Sequence, residues 1–359
     1  MAEPASGPIN VADFERIASE KMEAGPLGYF NGGAWDEVTL RENVNVWRRW
    51  RLRPRMMVDV GEISTETELL GAEVSMPIVI APVAFQRMAH PEGEEGMARA
   101  AAEAGALMTL STIATARPSD VAKAAPEGRR WFQLYCFRDR GVTQALMDEA
   151  VEAGYEAIVL TVDAPRLGWR ERDLRSGFTI PAEVTVPSVA AALGSSQPIG
   201  PMETFALLDP TLTWPDLEEL VAGTDLPVLV KGILTGEDAE LALEHGAKGV
   251  IVSNHGGRQL DGVAPSAEAL PEVADVVSGR GLVMVDGGIR RGTDVLVALA
   301  LGADGVMIGR PALWGLATDG QQGVKRVLDL LRLELEFALA LAGCPSPAAV
   351  TGDHVRHAP

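Results

Sequence analysis

The sequence predicts an α/β chain whose core closes into a (β/α)8 TIM barrel, and three observations carry that prediction. Eight short apolar runs alternate with longer amphipathic stretches between residue 77 and about residue 320. Runs of four or five apolar residues suit strands buried on both faces, as in a parallel sheet. Their span fits the roughly 250 residues that eight strand–helix units occupy. No GxGxxG occurs in the chain, which removes the main cue for the rival, a doubly wound open sheet.

Taken in order, residues 1–76 read as several helices and a short hairpin that would cap the barrel. The strand candidates follow at 77–81, 106–110, 131–134, 157–160, 227–230, 249–252, 282–285 and 305–308. Helix-like segments lie between them, among others at 92–104, 142–153, 236–245 and 292–302. Gly105, Gly154, Gly246 and Gly302 supply their stops, because glycine adopts the left-handed conformation that ends many helices. Residues 179–213 carry five prolines and no strong period, and read as a lid or a disordered loop after a barrel strand. The stretch 321–341 is helical in composition and should pack outside, ahead of a short tail.

Composition narrows the function. Hydrophobic residues make up 47% of the chain, which excludes a wholly disordered protein. Fifty acidic residues against 31 basic give a net charge of −19. A nucleic-acid binder would need a basic surface, and an anionic substrate must be drawn in by a local basic site. Cys136 and Cys344 stand alone without a CxxC, so neither a disulfide framework nor a zinc site is expected. Five scattered histidines without an HExxH argue against any metal. His245 sits where a helix should end, and His354 and His357 are expected to be solvated. The first ten residues lack the basic and apolar regions of a secretory signal, and no apolar run approaches the ~18 residues of a membrane span. A reduced, cytoplasmic setting is the expectation.

The residues that follow each apolar run point to a site. In a barrel the C-terminal strand ends form the active-site mouth. Here they finish in Pro82, Val83 and Ala84, then Ser111, then Gln133 with Tyr135, then Thr161 with Asp163. Lys231, Ser253 with His255, Asp286, and Gly309 with Arg310 complete the ring. VDGGIRRG (285–292) and IGRP (308–311) put glycines and arginines after the last two strands. That is the usual phosphate site of a barrel, where backbone N–H groups and a helix N-terminus hold the anion.

SNHGGRQLDG (253–262), preceded by LVKG (229–232) and followed by VDGGIRRGTDV (285–295), resembles the signature of the FMN-dependent (S)-2-hydroxy-acid oxidases and dehydrogenases. Glycolate oxidase, lactate oxidase and mandelate dehydrogenase are members. The likeness continues through RPRMMVDV (53–60), APVAFQRMAHPEGE (81–94), FQLY (132–135) and TVDAPRLGWRERD (161–173). It covers roughly residues 10–345, apart from 179–213. The resemblance implies one FMN-binding domain over 1–359, assembled as a homotetramer. The implied activity is oxidation of an (S)-2-hydroxy acid to the 2-oxo acid, with O2 as acceptor and H2O2 as product. The same flavin chemistry with another acceptor, or with oxidative decarboxylation, is the alternative. A flavin-free phosphate-binding isomerase or aldolase explains the two glycine–arginine turns but not SNHGGRQLD with Lys231.

By the same resemblance His255 takes the substrate proton, a task that suits a group titrating near neutrality. Asp163 pairs with it, and a neighbouring anion favours the charged imidazole. Arg170 and Arg258 clamp the substrate carboxylate, which their planar forks can bond through two oxygens. Tyr29 and Tyr135 resemble the two active-site tyrosines, one on the carboxylate and one near the substrate hydroxyl. Lys231 stands near the flavin edge that becomes negative on reduction. Ser111, Gln133, Thr161 and Ser253 resemble ring and ribityl contacts, and Pro82, Val83 and Ala84 would run along the flavin. Asp286 matches a ribityl contact, and Gly287, Gly288, Arg290, Gly309 and Arg310 match the phosphate site. Ala84 resembles the oxidases, whereas mandelate dehydrogenase carries glycine there.

One departure concerns specificity. Ile113 stands where glycolate oxidase has a tryptophan lining the substrate pocket. Replacing an indole by a sec-butyl group opens that wall and leaves it apolar, unless residues 179–213 refill the space. Extra methylenes in an apolar pocket give ~1–3 kcal/mol of discrimination. A 2-hydroxy acid with a longer aliphatic or aromatic tail should therefore exceed glycolate roughly ten-fold or more in kcat/KM. Glycolate, (S)-lactate, (S)-2-hydroxyoctanoate and (S)-mandelate, compared side by side, test this; a preference for glycolate contradicts it. So does an Ile113→Trp variant that keeps its activity on the largest acid.

Overall fold

The eight apolar runs become eight parallel strands that close on themselves. The structure, a computed structural model, describes residues 7–358. Two short pairs flank the barrel in sequence: β1 (Trp50–Leu52), and the hairpin of β2 (Thr67–Leu69) and β3 (Ala72–Val74). The barrel strands are β4 (Ile78–Ile80), β5 (Leu107–Ser111), β6 (Arg129–Leu134), β7 (Ala157–Thr161), β8 (Val228–Ile233), β9 (Gly249–Val252), β10 (Leu282–Asp286) and β11 (Gly305–Ile308). Closure is made by β11 against β4, with Val306 opposite Ile78. β12 (Val355–His357) returns from the C-terminus to pair antiparallel with β1.

The strands are apolar on both faces because both faces are covered. Val79, Leu107, Trp131, Val159, Leu229, Ile251, Met284 and Met307 fill the interior. Their neighbours Ile78, Ile80, Phe132, Ile158, Val250 and Val306 face the helical layer. Leu69 and Val74 join the interior cluster beside Leu107 and Leu229, near the strand starts. The β2–β3 hairpin thus plugs the N-terminal end of the barrel. The helix Ala24–Asn31 lies at the opposite, C-terminal mouth, so residues 24–74 serve both ends.

Gly105, Gly154, Gly246 and Gly302 all take positive φ, as helix-ending glycines do. The long helix Arg310–Ala342 breaks at Asp319–Gly320. A Cβ on Gly320 would lie 2.7 Å from Glu92 and 2.8 Å from His90, so that kink requires glycine. The break separates the last barrel helix from the C-terminal helix expected at 321–341. One expectation needs correcting. His354 is buried, not solvated, because its Nδ1 accepts from the Thr351 N–H at 3.0 Å inside the closing turn of the chain. Residues 179–213 contain the short helices Pro187–Ala192 and Pro201–Ala206, each begun by a proline at the position where its missing N–H costs nothing. Among the described residues no helix is long and apolar enough to cross a membrane.

A buried carboxylate joins two of the loops at the mouth. Glu94, fully buried, accepts from the N–H of Gln86 at 3.2 Å and of Thr115 at 2.8 Å, and from the Thr115 hydroxyl. It ties the loop after β4 to the loop after β5, which carry Ala84 and Ile113. Burial raises its pKa above the ordinary 4.5, against the pull of the Thr115 hydrogen bonds. A raised carboxyl pKa means that the folded state holds the proton more tightly. The associated stability is present below pH 4.5 and is lost as pH rises through the raised value. Glu94→Gln keeps the hydrogen bonds without titrating, so it should match the parent near pH 4.5 and exceed it increasingly above. Glu94→Leu, which orphans three donors at about 1–3 kcal/mol each, should lose at least about 3 kcal/mol at every pH. Urea unfolding of the three proteins across pH checks this; a Gln variant that weakens relative to the parent as pH rises contradicts it.

Candidate active site

The turn after β9 carries His255, Gly256 and Gly257 in succession at φ of 57°, 62° and 74°. A Cβ on Gly257 would lie 2.6 Å from the Leu40 nitrogen, so the turn packs tightly on the helix Val38–Asn45. This backbone aims His255 at the loop after β7, where its Nδ1 lies 2.8 Å from Asp163 Oδ1. Nδ1 is thereby engaged, and Nε2 is the nitrogen left for substrate. Burial would raise the Asp163 pKa, but His255 and then Lys231 outweigh it and hold the carboxyl below its ordinary value. Asp163 therefore stays an anion that orients the ring.

Lys231, at the end of β8, is 4% exposed. Its Nζ lies 2.7 Å from Ser253 Oγ and 2.9 Å from Asp286 Oδ2, and Ser253 Oγ donates to Asp286 Oδ1 at 2.8 Å. Burial would lower the lysine pKa; Asp286 and Asp163 overcome it and raise the value. The ammonium is a fixed cation. Ser253 also accepts from the His255 N–H at 3.0 Å, so lysine and histidine are held by one hydroxyl.

The arginines converge on the C-terminal end of the helix Ala24–Asn31. Arg258 Nη1 donates to the carbonyls of Tyr29 at 2.6 Å and Gly32 at 2.9 Å. Arg310 donates from Nε to Phe30, from Nη1 to Gly256 and from Nη2 to Gly32, at 2.9, 3.0 and 2.9 Å. Carbonyls that a helix end leaves unpaired are thus satisfied by guanidinium groups. The same contacts bring the buried Tyr29 to the site, with Arg258 and Arg170 at 5.0 and 5.5 Å from its ring centre. Burial, then repulsion from Arg170, lowers the Arg258 pKa to about 10. Burial, then Arg258 and Arg290, pushes Arg310 well below its ordinary value. Burial lowers Arg290 too. Tyr135 is pushed the other way, upward, by burial and then Asp163, and keeps its proton.

The mouth thus encloses a cavity of about 170 Å³. Of the residues expected from the sequence, it is lined by Tyr29, Pro82, Val83, Ala84, Ser111, Ile113, Gln133, Tyr135, Thr161, Arg170, Lys231, His255 and Arg258. Asp286, Gly287, Gly288, Arg290, Gly309 and Arg310 line it at the other end. Asp163 and Ser253 stand just behind, as partners of His255 and Lys231.

Gln259 was given no role from the sequence, although it follows Arg258 directly. Its Nε2 donates to the carbonyls of Asp163 and Arg166, both at 2.9 Å, and its Oε1 accepts from the Gly168 N–H at 2.9 Å. It fastens the loop of Asp163 and Arg170 to the loop of His255. A Cβ on Gly168 would lie 2.1 Å from the Arg258 carbonyl, so the two loops touch through backbone. Leu167, Phe205 and Leu208 also line the cavity; the last two come from the segment that resembled nothing.

The FMN-dependent dehydrogenase family matches residues 18–357. The chain belongs to that family. It is 49% identical to the L-lactate oxidase of Nostoc sp., over 94% of this chain and 95% of that protein. Glycolate oxidase 3 of Arabidopsis thaliana is 47% identical, over 97% and 95%. Among solved structures, mandelate oxidase with benzoyl-formic acid superposes with a TM-score of 0.89 at 42% identity, over 97% of this chain and 98% of that one.

FMN is the cofactor of this FMN-dependent dehydrogenase, and the cavity's own atoms fit it. Gln133 Oε1 is taken by Ser111 and Thr112, and its Nε2 is buried without a partner among the described residues. Thr161 Oγ1 is buried without one among them as well. Buried polar atoms are ordinarily paired, and the edge of a flavin ring offers the partners that these two lack. Pro82, Val83, Ala84, Ser111 and Lys231 would flank the ring, and Ser253 and Asp286 the ribityl chain. Gly287, Gly288, Arg290, Gly309 and Arg310 would hold the phosphate. At Gly288 a Cβ would lie 1.7 Å from the Asn43 carbonyl oxygen, so this turn tolerates no side chain. Arg290 is the freer guanidinium: its Nη1 donates to the Ile289 carbonyl, and it stacks 4.8 Å from the Trp314 ring. Each nitrogen of Arg310 already has a backbone carbonyl.

Proposed function

We propose that the protein oxidises an (S)-2-hydroxy acid bearing an apolar side chain to the 2-oxo acid, with O2 as electron acceptor and H2O2 as product. The observation that carries this reading is the pairing of His255 with Asp163 in one cavity with Arg258 and Arg170. The two guanidiniums take the carboxylate, with Tyr29 between them. Arg258 and Arg170 repel each other, and an anion placed there relieves the cost of both. The α-carbon and its hydroxyl then face His255, whose Nε2 takes a proton while Asp163 stabilises the charge that results. Tyr135 retains its proton and donates a hydrogen bond to the substrate. FMN, when bound, would supply the two-electron acceptor, and O2 is the proposed final acceptor of the pair. Lys231, held by Ser253 and Asp286, is a fixed cation against negative charge that develops beside it.

Ile113, Leu167, Phe205 and Leu208 are apolar members of the cavity lining. They favour a hydrocarbon substituent over the bare hydrogen of glycolate. The oxidase relatives and the methyl group of Ala84 support oxygen as acceptor over another partner. From the family resemblance we also carry a cytoplasmic setting and a homotetramer. Exposed Met56, Met57, Phe337 and Leu341 offer apolar surface for such an assembly to cover.

Anaerobic bleaching of the flavin by a panel of (S)-2-hydroxy acids, followed by air, tests the reading. Bleaching identifies the reductant, and fast recovery in air identifies oxygen as acceptor. His255→Gln should keep its FMN and bleach about 10²- to 10⁴-fold more slowly, the usual worth of a general base. Bleaching at near the parent rate would remove His255 from that role.

A further inference from the structure

Beside the site lies a second hollow, of about 480 Å³, that the proposed chemistry does not use. Tyr135, Thr161, Ala164, Pro165 and Leu208 line both spaces, so the two adjoin. Beyond that neck the walls are largely apolar, with Cys136, Val162, Leu212, Trp214, Leu217 and Ile233. Burial pushes the Cys136 thiol up to about 11, so it is a neutral lining group. Asp209 and Asp238 lie on the lining as well; Asp209 is neutralised by Arg140 at 2.8 Å.

The walls are fixed. The Asp209 N–H donates to the Cys136 carbonyl at 2.9 Å, and the Arg138 N–H to the Leu207 carbonyl at 3.0 Å. Arg140 clamps Asp209 and Asp216, which brackets the loop over the hollow. The hollow is half open to solvent, and a hydrocarbon chain laid in it would gain contacts with its apolar lining. An apolar cavity of ~150 Å³ already accepts a benzene ring.

We propose that this hollow is a tail compartment, and that the preferred substrate is a medium-chain, unbranched 2-hydroxy fatty acid. This rests on the oxidase reading above. With the carboxylate on Arg258 and Arg170 and the α-carbon at His255, the substituent leaves past Ile113 toward Tyr135 and Leu208. A linear chain continues through that neck; lactate ends before it.

Leu212→Trp and Val162→Phe fill the hollow from positions that do not line the catalytic cavity. Each should lower kcat/KM for (S)-2-hydroxyoctanoate at least about ten-fold, mainly through KM, and leave (S)-lactate unchanged. Equal effects on both acids, or none on the longer, overturn the proposal. So does unchanged flavin reduction with slowed reoxidation in air, which would make the hollow an oxygen path. Calorimetric titration of the parent holoenzyme with pyruvate, 2-oxobutanoate and 2-oxooctanoate needs neither variant nor turnover. Affinity rising to the longest acid supports the compartment, and a plateau at 2-oxobutanoate overturns it. Failure of every 2-hydroxy acid to bleach the flavin would refute the oxidase reading, while this titration still decides what the hollow holds.

Discussion

Arg258, Arg290, Arg310 and Lys231 gather at one end of a barrel whose chain carries a net charge of −19. Among the described residues, the lysine alone of these four has a carboxylate at salt-bridge distance, Asp286. The guanidiniums are met by backbone carbonyls and by one another, and burial lowers all three. Desolvated charge of one sign is costly until an anion arrives. On the proposed reading the mouth serves two anions, a phosphate beside Arg290 and a carboxylate beside Arg258, in one cavity with His255 and Lys231. An acidic protein can hold an acidic substrate because the attraction is local.

That arrangement depends on backbone brought unusually close. Gly168 meets the Arg258 carbonyl, Gly257 meets Leu40, and Gly288 meets the Asn43 carbonyl, each at a distance that no side chain would permit. Asn43 and Asn254 exchange hydrogen bonds at 2.7 and 2.9 Å and hold the helix Val38–Asn45 against the histidine turn. Gln259 and Ser253 then join neighbouring loops through single side chains. His255, Arg258 and Lys231 are positioned by the loops' contacts with each other as much as by the strands beneath them.

Much of this was legible beforehand. Strands buried on both faces leave short apolar runs, and eight such runs marked the barrel. Residues at the strand ends must converge, so Ser111, Gln133, Thr161, Lys231 and Asp286 could be placed on one face from spacing alone. The family resemblance supplied the roles of His255, Arg258 and Arg170. Long-range partners were not legible: Glu94 reaching Thr115, Arg310 reaching Phe30 and Gly32, and Gln259 reaching Asp163 are contacts that no local pattern encodes. The segment 179–213 hid its helices because each is six residues long, too short to show a period. Phe205 and Leu208 therefore entered the site unannounced. His354 looked like tail because nothing in its neighbours signals the return strand β12.

On the proposed reading, paired, dehydrated cations organise this site around anions. Binding of FMN and of riboflavin to the apoprotein tests that directly, since the two differ only in the phosphate. Hydrogen bonds to charged groups are worth about 1.5–3 kcal/mol each, so two of them predict FMN binding at least about a hundred-fold tighter than riboflavin. Comparable affinities for the two flavins would contradict the account.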